Sequence, residues 1–214
     1  TYKDWKINKK KILNSIQKNY NNKLIALRSS AIDEDNLNNS NAGKYKSFLN
    51  IRFSNKQVEK KINEIFNSYR KFRPIKNNDK FIVQEMVNNL SVSGVLFTKD
   101  LETQSDYYVV NYDDETGSTD RVTSGKGEFS NRSLYIKRDK TKYLKSERFK
   151  LLINSVKNLE KNLNNENLDI EFAIDANLNT YLLQVREIKN LKSPIKLKKK
   201  TINIELNKVS NKIK

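Results

Sequence analysis

The sequence lacks histidine and cysteine altogether, and its 214 residues include only five glycines and two prolines. Without cysteine, disulfides and thiolate metal sites are excluded. Without histidine, the commonest general base and zinc ligand are missing, so any histidine chemistry would need another polypeptide or domain. The chain also has no apolar run as long as a membrane span and no signal peptide at its start. We therefore expect a soluble, cytoplasmic protein without a membrane partner.

Acidic residues are comparatively few: 42 Lys and Arg face 25 Asp and Glu, giving a formal net charge of +17. Such an excess suggests nucleic-acid binding, because lysine and arginine contacts to phosphate dominate that interaction. The lysines are, however, scattered over all the predicted helices among many asparagines, and no nucleic-acid motif accompanies them. A solvated basic surface is the preferred interpretation, with a basic nucleic-acid-binding protein as an alternative.

Hydrophobic periodicity predicts helices and strands over most of the chain. Helices are expected in residues 1–22, 58–72 and 149–163, and strands at 23–28, 44–51, 81–87, 92–98, 107–112 and 134–137. Polar loops are expected at 31–43 and 113–129. We interpret residues 1–190 as one domain and the Lys-rich residues 191–214 as a linker or the start of a following domain.

Two runs rich in β-branched and aromatic residues, 168–175 and 180–188, predict a β-hairpin. The residues between them, 176–179, have the asparagine content of a tight reversal. A four-residue loop would pair Asp175 with Thr180.

Counting inward from that turn places Glu171 opposite Gln184 and Asp169 opposite Arg186. Side chains alternate across a strand, so these four residues share one face, with cross-strand neighbours roughly 5 Å apart. Mg²⁺ is usually held by one or two carboxylates plus substrate phosphates, and arginine matches phosphate geometry. The face is typical of an Mg-nucleotide site, although a solvent-facing salt bridge across a hairpin explains it equally well.

A second polar cluster follows the strand that ends at Arg28. Small hydroxyls and a glycine there can cradle phosphate, and an arginine can pair with it. Its members are Arg28, Ser29, Ser30, Asp33, Glu34, Asp35, Ala42, Gly43 and Ser47.

Three stretches carry a family resemblance: RSSAIDEDNLNNSNAGKYKSFLNI, VQEMV followed by SGVLFTKD, and LDIEFAIDANLNTYLLQVREI. In this order they resemble the signature blocks of the nucleotide-binding domain of the phosphoenolpyruvate synthase and pyruvate phosphate dikinase family, whose members include rifampin phosphotransferase and glutamine kinase. The blocks span residues 24–188. The resemblance implies an ATP-grasp fold of the α/β (α+β) class, with a mixed, largely antiparallel sheet and flanking helices.

The resemblance also implies roles for residues in the first half of the chain. Arg28 corresponds to the family arginine on the ATP phosphates and Gly43 to the glycine of the phosphate loop. Ser47 stands where members often have threonine. The segment lining the adenine pocket corresponds to Gln84, Glu85 and Val87.

In the hairpin, Glu171 and Gln184 match the metal and phosphate ligands of the family, and Asp169 a supporting acidic residue at the metal. Arg186 matches the arginine of the LQxR motif. The expected catalytic residues are therefore Arg28 and Arg186, and the expected cofactors are ATP and Mg²⁺.

The implied function is that of an ATP-binding domain that uses Mg-ATP to phosphorylate a histidine on a separate domain. That histidine then passes phosphate to a small-molecule acceptor, glutamine or pyruvate; the divergent central block favours glutamine. Family members carry a longer segment before the arginine that Arg28 matches, including a Gly-rich stretch with a phosphate-binding lysine. We therefore expect a domain truncated at its N-terminus and an incomplete enzyme. A catalytically inactive nucleotide-binding or scaffold module is the alternative that this departure favours.

Overall fold

The computed structural model describes residues 1–34, 44–115 and 132–188. The chain divides into two compact units, Thr1–Leu90 and Ser91–Lys214. Each contains an antiparallel sheet covered by helices on one face.

The first unit combines two helices with a three-stranded sheet. In chain order its elements are α1 (Tyr2–Tyr20), β1 (Leu24–Ser30), β2 (Phe48–Arg52), α2 (Asn55–Arg70) and β3 (Lys80–Glu85). The strand order is β2-β1-β3, and both pairings are antiparallel.

Both helices of the first unit begin with a hydroxyl cap. Thr1 and Asp4 form a capping box at α1, and the Ser54 side chain accepts a hydrogen bond from the Gln57 backbone N–H at α2. Such caps satisfy backbone donors that the first helical turn leaves without partners. The buried faces of the helices pack on β1 in one cluster, which includes Trp5, Leu13, Ile16, Ile25, Leu27, Val58, Ile62, Ile65, Phe66 and Tyr69.

The second unit is built on a five-stranded sheet with the order β6-β5-β4-β7-β8. Its elements are β4 (Leu90–Phe97), β5 (Tyr107–Asp113), β6 (Arg132–Lys137), a 3₁₀ helix (Arg138–Tyr143), α3 (Glu147–Leu163), β7 (Leu168–Asp175) and β8 (Thr180–Glu187).

One face of this sheet is apolar and packs on α3. The core cluster there includes Val92, Leu96, Tyr108, Val110, Ile136, Phe149, Leu152, Ile153, Val156, Leu168, Ile170, Phe172 and Ile174. The apolar residues of β7 alternate with Asp169 and Glu171, so the polar residues lie on the opposite face.

Gly94 lets β4 approach β5 closely. A Cβ atom at this position would lie 2.1 Å from the Asn111 backbone oxygen and 2.9 Å from the Tyr112 Cα atom. Real Cβ atoms do not approach backbone atoms so closely, so this pairing requires glycine at the centre of β4.

The predicted elements are largely confirmed, with local corrections. The strand expected over 44–51 begins only at Phe48, because Tyr45 is buried and its hydroxyl donates to Asp33. The helix expected to reach Phe72 ends at Arg70, and Phe72 is exposed. The strands form two sheets, and the pairings with a described register are antiparallel, which agrees with the predicted α+β class and largely antiparallel pairing. The predicted tail, 191–214, lies outside the described residues.

None of the helices within the described ranges combines the length and apolar character that crossing a membrane requires.

Candidate functional site

The hairpin formed by β7 and β8 carries the first group of predicted site residues. Its turn differs from the prediction: Ile174, and not Asp175, pairs with Thr180. The reason is that the Asp175 carboxylate accepts hydrogen bonds from the backbone of Asn177 and Asn179, both at 2.9 Å, which draws Asp175 into the loop.

A bulge between Glu171 and Phe172 then restores the predicted register, because β8 contributes one extra residue there. Beyond it, Glu171 pairs with Gln184 and Asp169 pairs with Arg186, as predicted. Two carboxylates, an amide and a guanidinium therefore lie on one face of the hairpin, opposite the core.

Gln184 links the acidic and basic members of this face. With its amide oriented to satisfy its neighbours, its oxygen accepts hydrogen bonds from both Nε, at 2.9 Å, and Nη2 of Arg186. Its nitrogen lies 3.3 Å from Oε1 of Glu171 and donates to it. Hydrogen bonds therefore connect Glu171, Gln184 and Arg186 into one network on this face.

Asp169 is half-buried beside this chain. Burial raises the pKa of its carboxyl group; the Arg186 guanidinium lowers it, and the charge of Glu171 raises it further. A nearby cation would stabilise the charged form of a carboxylate in such surroundings. Across the described parts of the chain, no three acidic side chains are grouped so as to hold a metal ion by themselves. Any metal here would have to share its coordination with other ligands.

The second group of predicted residues lies in the first unit, on neighbouring strands. Arg28 of β1 donates from Nε to the side-chain oxygen of Gln84 on β3, at 3.1 Å. The backbone N–H of Ser29 donates to the Ser47 hydroxyl at 3.2 Å. The structure thus brings Arg28, Gln84 and Ser47 to one region of the first sheet.

Two further predicted residues of the first unit, Glu85 and Val87, lie at and just beyond the C-terminal end of β3. Glu85 forms an exposed ion pair with Lys23 at 2.7 Å. Val87 follows the strand and is half-buried. Gly43, expected in the phosphate loop, lies outside the described residues.

The acidic residues after β1 have structural partners, which the sequence did not reveal. Glu34 is buried and accepts from the Ser29 hydroxyl at 2.7 Å and from the Ala31 N–H at 3.1 Å. Asp33 accepts from Arg73 at 2.6 Å and from the Tyr45 hydroxyl at 2.7 Å. Through these contacts Asp33 and Glu34 anchor the segment that follows β1.

Arg73 holds two carboxylates together. It donates to both oxygens of Asp79, at 2.8 and 2.7 Å, and also to Asp33. The hydrogen bond from Arg73 lowers the pKa of Asp33 to about 2. Burial, together with the hydrogen bond to Asp33, raises the pKa of Tyr45 to about 12. Because Asp33 and Arg73 lie far apart in the sequence, local sequence patterns could not predict this network.

Comparison with models of protein families identifies the family of this chain. The family model described as pyruvate phosphate dikinase, AMP/ATP-binding domain, matches residues 6–126, which is more than half of the chain. The chain therefore belongs to this family, and its fold is an α+β, ATP-grasp-like nucleotide-binding domain of a dikinase-family protein. No curated protein matches the chain at a significant level.

Proposed function

We propose that this chain binds Mg-ATP and prepares it for phosphoryl transfer to a histidine on a separate domain. The observation that carries the proposal is the hairpin face, where Asp169 and Glu171 lie opposite Arg186 and Gln184. Family membership supports ATP or AMP as the ligand. The shared polar face supplies groups that suit a metal-bound triphosphate.

In the second unit, Asp169 and Glu171 would hold Mg²⁺. Their chemistry fits, because Mg²⁺ takes one or two protein carboxylates and completes its shell with water and substrate phosphate oxygens. Gln184 would join them through its amide oxygen once a nucleotide phosphate engages Arg186. When bound, the ion would neutralise charge on the phosphates and fix their orientation.

Arg186 would bind phosphate oxygens through its fixed fork of donors. The neutral amide oxygen of Gln184 is one of its partners, and a phosphate oxygen would bind the guanidinium more strongly because it carries negative charge.

In the first unit, Arg28 would bind phosphate, with Ser47 and Gly43 in the loop beside it. The segment containing Gln84, Glu85 and Val87 would read the purine. The Arg28 side chain is already held by Gln84, so it loses little conformational freedom when the ligand binds.

The proposed chemistry is phosphoryl transfer without covalent participation by this chain. A histidine of the separate domain would attack the β-phosphorus of ATP and displace AMP, which leaves a pyrophosphohistidine. Loss of its terminal phosphate to water would give a phosphohistidine, which would pass phosphate to a small-molecule acceptor, glutamine or pyruvate. The chain would contribute positioning and charge stabilisation, which dominate catalysis of this reaction class. Arg28 and Arg186 would carry that charge stabilisation.

Calorimetric titration with ATP, with and without Mg²⁺ and at two salt concentrations, tests the proposal. We expect Mg²⁺-dependent binding that Glu171→Ala and Arg186→Ala each weaken at least about tenfold, the loss expected for a charge-assisted hydrogen bond. Glu187→Ala is the matched control, because Glu187 is an exposed carboxylate at the end of the same strand; its affinity should equal that of the unmodified chain.

Two results would count against the proposal. Unchanged affinity in both site variants would reject the hairpin assignment. Absence of ATP binding by the unmodified chain would reject Mg-ATP binding and favour an inactive module. A steep fall of nucleic-acid affinity with salt, unaffected by Glu171→Ala, would instead support the nucleic-acid alternative.

A further inference from the structure

On the first sheet, the face turned away from the helices is exposed around Ile82 of β3, although Ala26 of β1 on the same face is buried. Ile25 and Leu27 of β1 point into the helix-covered core and are fully buried. Residues alternate across a strand, so Arg28 and Ser30 lie on the same side as Ala26, away from the core cluster. The cross-strand partners of Arg28 and Ser30 on β3 share that face. They are Ile82 and Lys80.

Lys80 is exposed at the start of β3. Within the described residues its ammonium group forms no ion pair, whereas Lys23, near the other end of the strand, is paired with Glu85. The neighbouring Ile82 side chain is 48% exposed, so the face between Arg28 and Lys80 is open. An accessible apolar side chain, Ile82, therefore lies between the two cations on this face.

The strand positions that carry the two cations suit contact with one extended anion. Lys80 is a diagonal neighbour of Arg28 across the β1 and β3 pair, and the Cα atoms of such neighbours lie about 7–8 Å apart. Gln84 is the diagonal neighbour on the other side and holds the Arg28 guanidinium. The Arg28 side chain therefore extends towards Gln84. Lys80 supplies the positive charge near the start of β3.

The two ends of β3 differ in what surrounds them. Ser47 contacts Ser29 next to the Lys80 end, since the Ser29 N–H donates to the Ser47 hydroxyl. Glu85 ends the strand on the opposite side. A nucleotide whose base is read near Glu85 and whose phosphates begin at Arg28 would extend its last phosphates towards Lys80.

We propose that Lys80 contacts the terminal phosphates of the bound nucleotide and makes this site prefer ATP over AMP. The assignment rests on the proposed function. A compact ammonium on a flexible stem can follow a terminal phosphate without a fixed geometry. AMP lacks the β- and γ-phosphates, so it gains nothing from Lys80.

The test compares ATP, ADP and AMP affinities of the full chain, measured by calorimetry in the presence of Mg²⁺. Lys80→Ala should weaken ATP binding about tenfold, weaken ADP binding less, and leave AMP binding within about twofold. Lys80→Arg should retain most of the ATP affinity, because the positive charge remains. Lys60→Ala is the matched control. It removes the same charge from an exposed position on α2, which packs against the other face of the sheet.

The outcomes separate this assignment from the proposed function. If the unmodified chain binds ATP and Lys80→Ala behaves like Lys60→Ala, the Lys80 assignment is wrong and the proposed function stands. An equal loss for ATP and AMP would also overturn it, since contact with terminal phosphates cannot affect AMP. If the unmodified chain binds no ATP, both fail. Thermal melting of each variant verifies that the fold is intact.

Discussion

Gln184 donates a hydrogen bond to Glu171 through its amide nitrogen and accepts hydrogen bonds from Arg186 through its amide oxygen. An amide can satisfy a carboxylate and a guanidinium at once, because it carries an NH₂ donor and a carbonyl acceptor. Gln184 therefore keeps the acid and the base apart while holding both in place. A charged residue at this position would favour one partner at the expense of the other.

Gln184→Leu preserves side-chain volume and removes both hydrogen bonds. We expect Mg-ATP affinity to fall about 10–100-fold, the range found when groups that orient metal ligands are removed. Gln184→Glu should change the affinities for the two ligands in opposite directions. Its added negative charge should tighten binding of Mg²⁺ alone and weaken binding of ATP, because Arg186 would then be paired with a carboxylate. Separate titrations with Mg²⁺ and with Mg-ATP measure both effects, and a Gln184→Leu variant that binds normally would contradict this role.

The half-buried carboxylate of Asp169 lowers the stability of the fold at neutral pH, and the same carboxylate is proposed to bind Mg²⁺. Since its pKa is raised in the folded chain, the protein is most stable below the ordinary aspartate range and loses this contribution as the pH rises through the raised pKa. Asp169→Asn should therefore melt at a slightly higher temperature at pH 7, and the gain should shrink as the pH is lowered towards 4. The same variant should lose Mg²⁺-dependent ATP binding. A lower melting temperature at pH 7 would show that the Arg186 contact outweighs burial.

The polar hairpin face was predictable from sequence because the two-residue period of a strand forces Asp169 and Glu171 away from Ile170 and Phe172. The turn was not, because the Asp175 carboxylate binds loop backbone groups and shifts the pairing by one residue. The bulge cancels that shift before Glu171. The register of the site was thus correctly predicted although the pairing at the turn was wrong.

The division of the strands into two sheets lay beyond local patterns. In the first unit β1 pairs with β3, and in the second β4 is bonded to β7, across long stretches of sequence. Thr98, just after β4, bonds through its backbone N–H to the Leu168 carbonyl at 2.9 Å, a contact that no periodicity signals. Such pairings depend on which apolar faces pack together in three dimensions.

The Asp33, Arg73 and Asp79 network should make the first unit sensitive to acid. The folded-state pKa of Asp33 is about 2, below its ordinary value of 3.8, so its contribution is present above pH 4 and is lost as the pH falls from about 4 to about 2. Asp33→Asn should cost about 1–3 kcal/mol near neutral pH and flatten the decline below pH 4. Asp79→Ala should cost about 3–5 kcal/mol, because it leaves Arg73 partly unpaired in a buried site.

Trp5, the single tryptophan of the sequence, makes this measurement specific to the first unit. It is buried and donates from its indole nitrogen to Asn63, at 2.9 Å. Urea titrations followed by tryptophan fluorescence at several pH values would report the unfolding free energy of this unit. Glu59→Gln is a control, since its ion pair with Lys9 is exposed and should contribute less than about 1 kcal/mol. Equal acid sensitivity of Asp33→Asn and the unmodified chain would contradict the prediction.

Gly94→Ala should destabilise the second unit, because the added methyl group would meet two backbone positions of β5 that cannot rotate away. We expect a loss of about 3 kcal/mol, at the upper end of the usual cost of overpacking. Peptide-resolved hydrogen exchange should show faster exchange in β4 and β5. Val95→Ala, on the neighbouring half-buried residue, removes volume from the same strand and should have a smaller effect. If the two variants exchange at equal rates, close approach of the strands is not what requires glycine at this position.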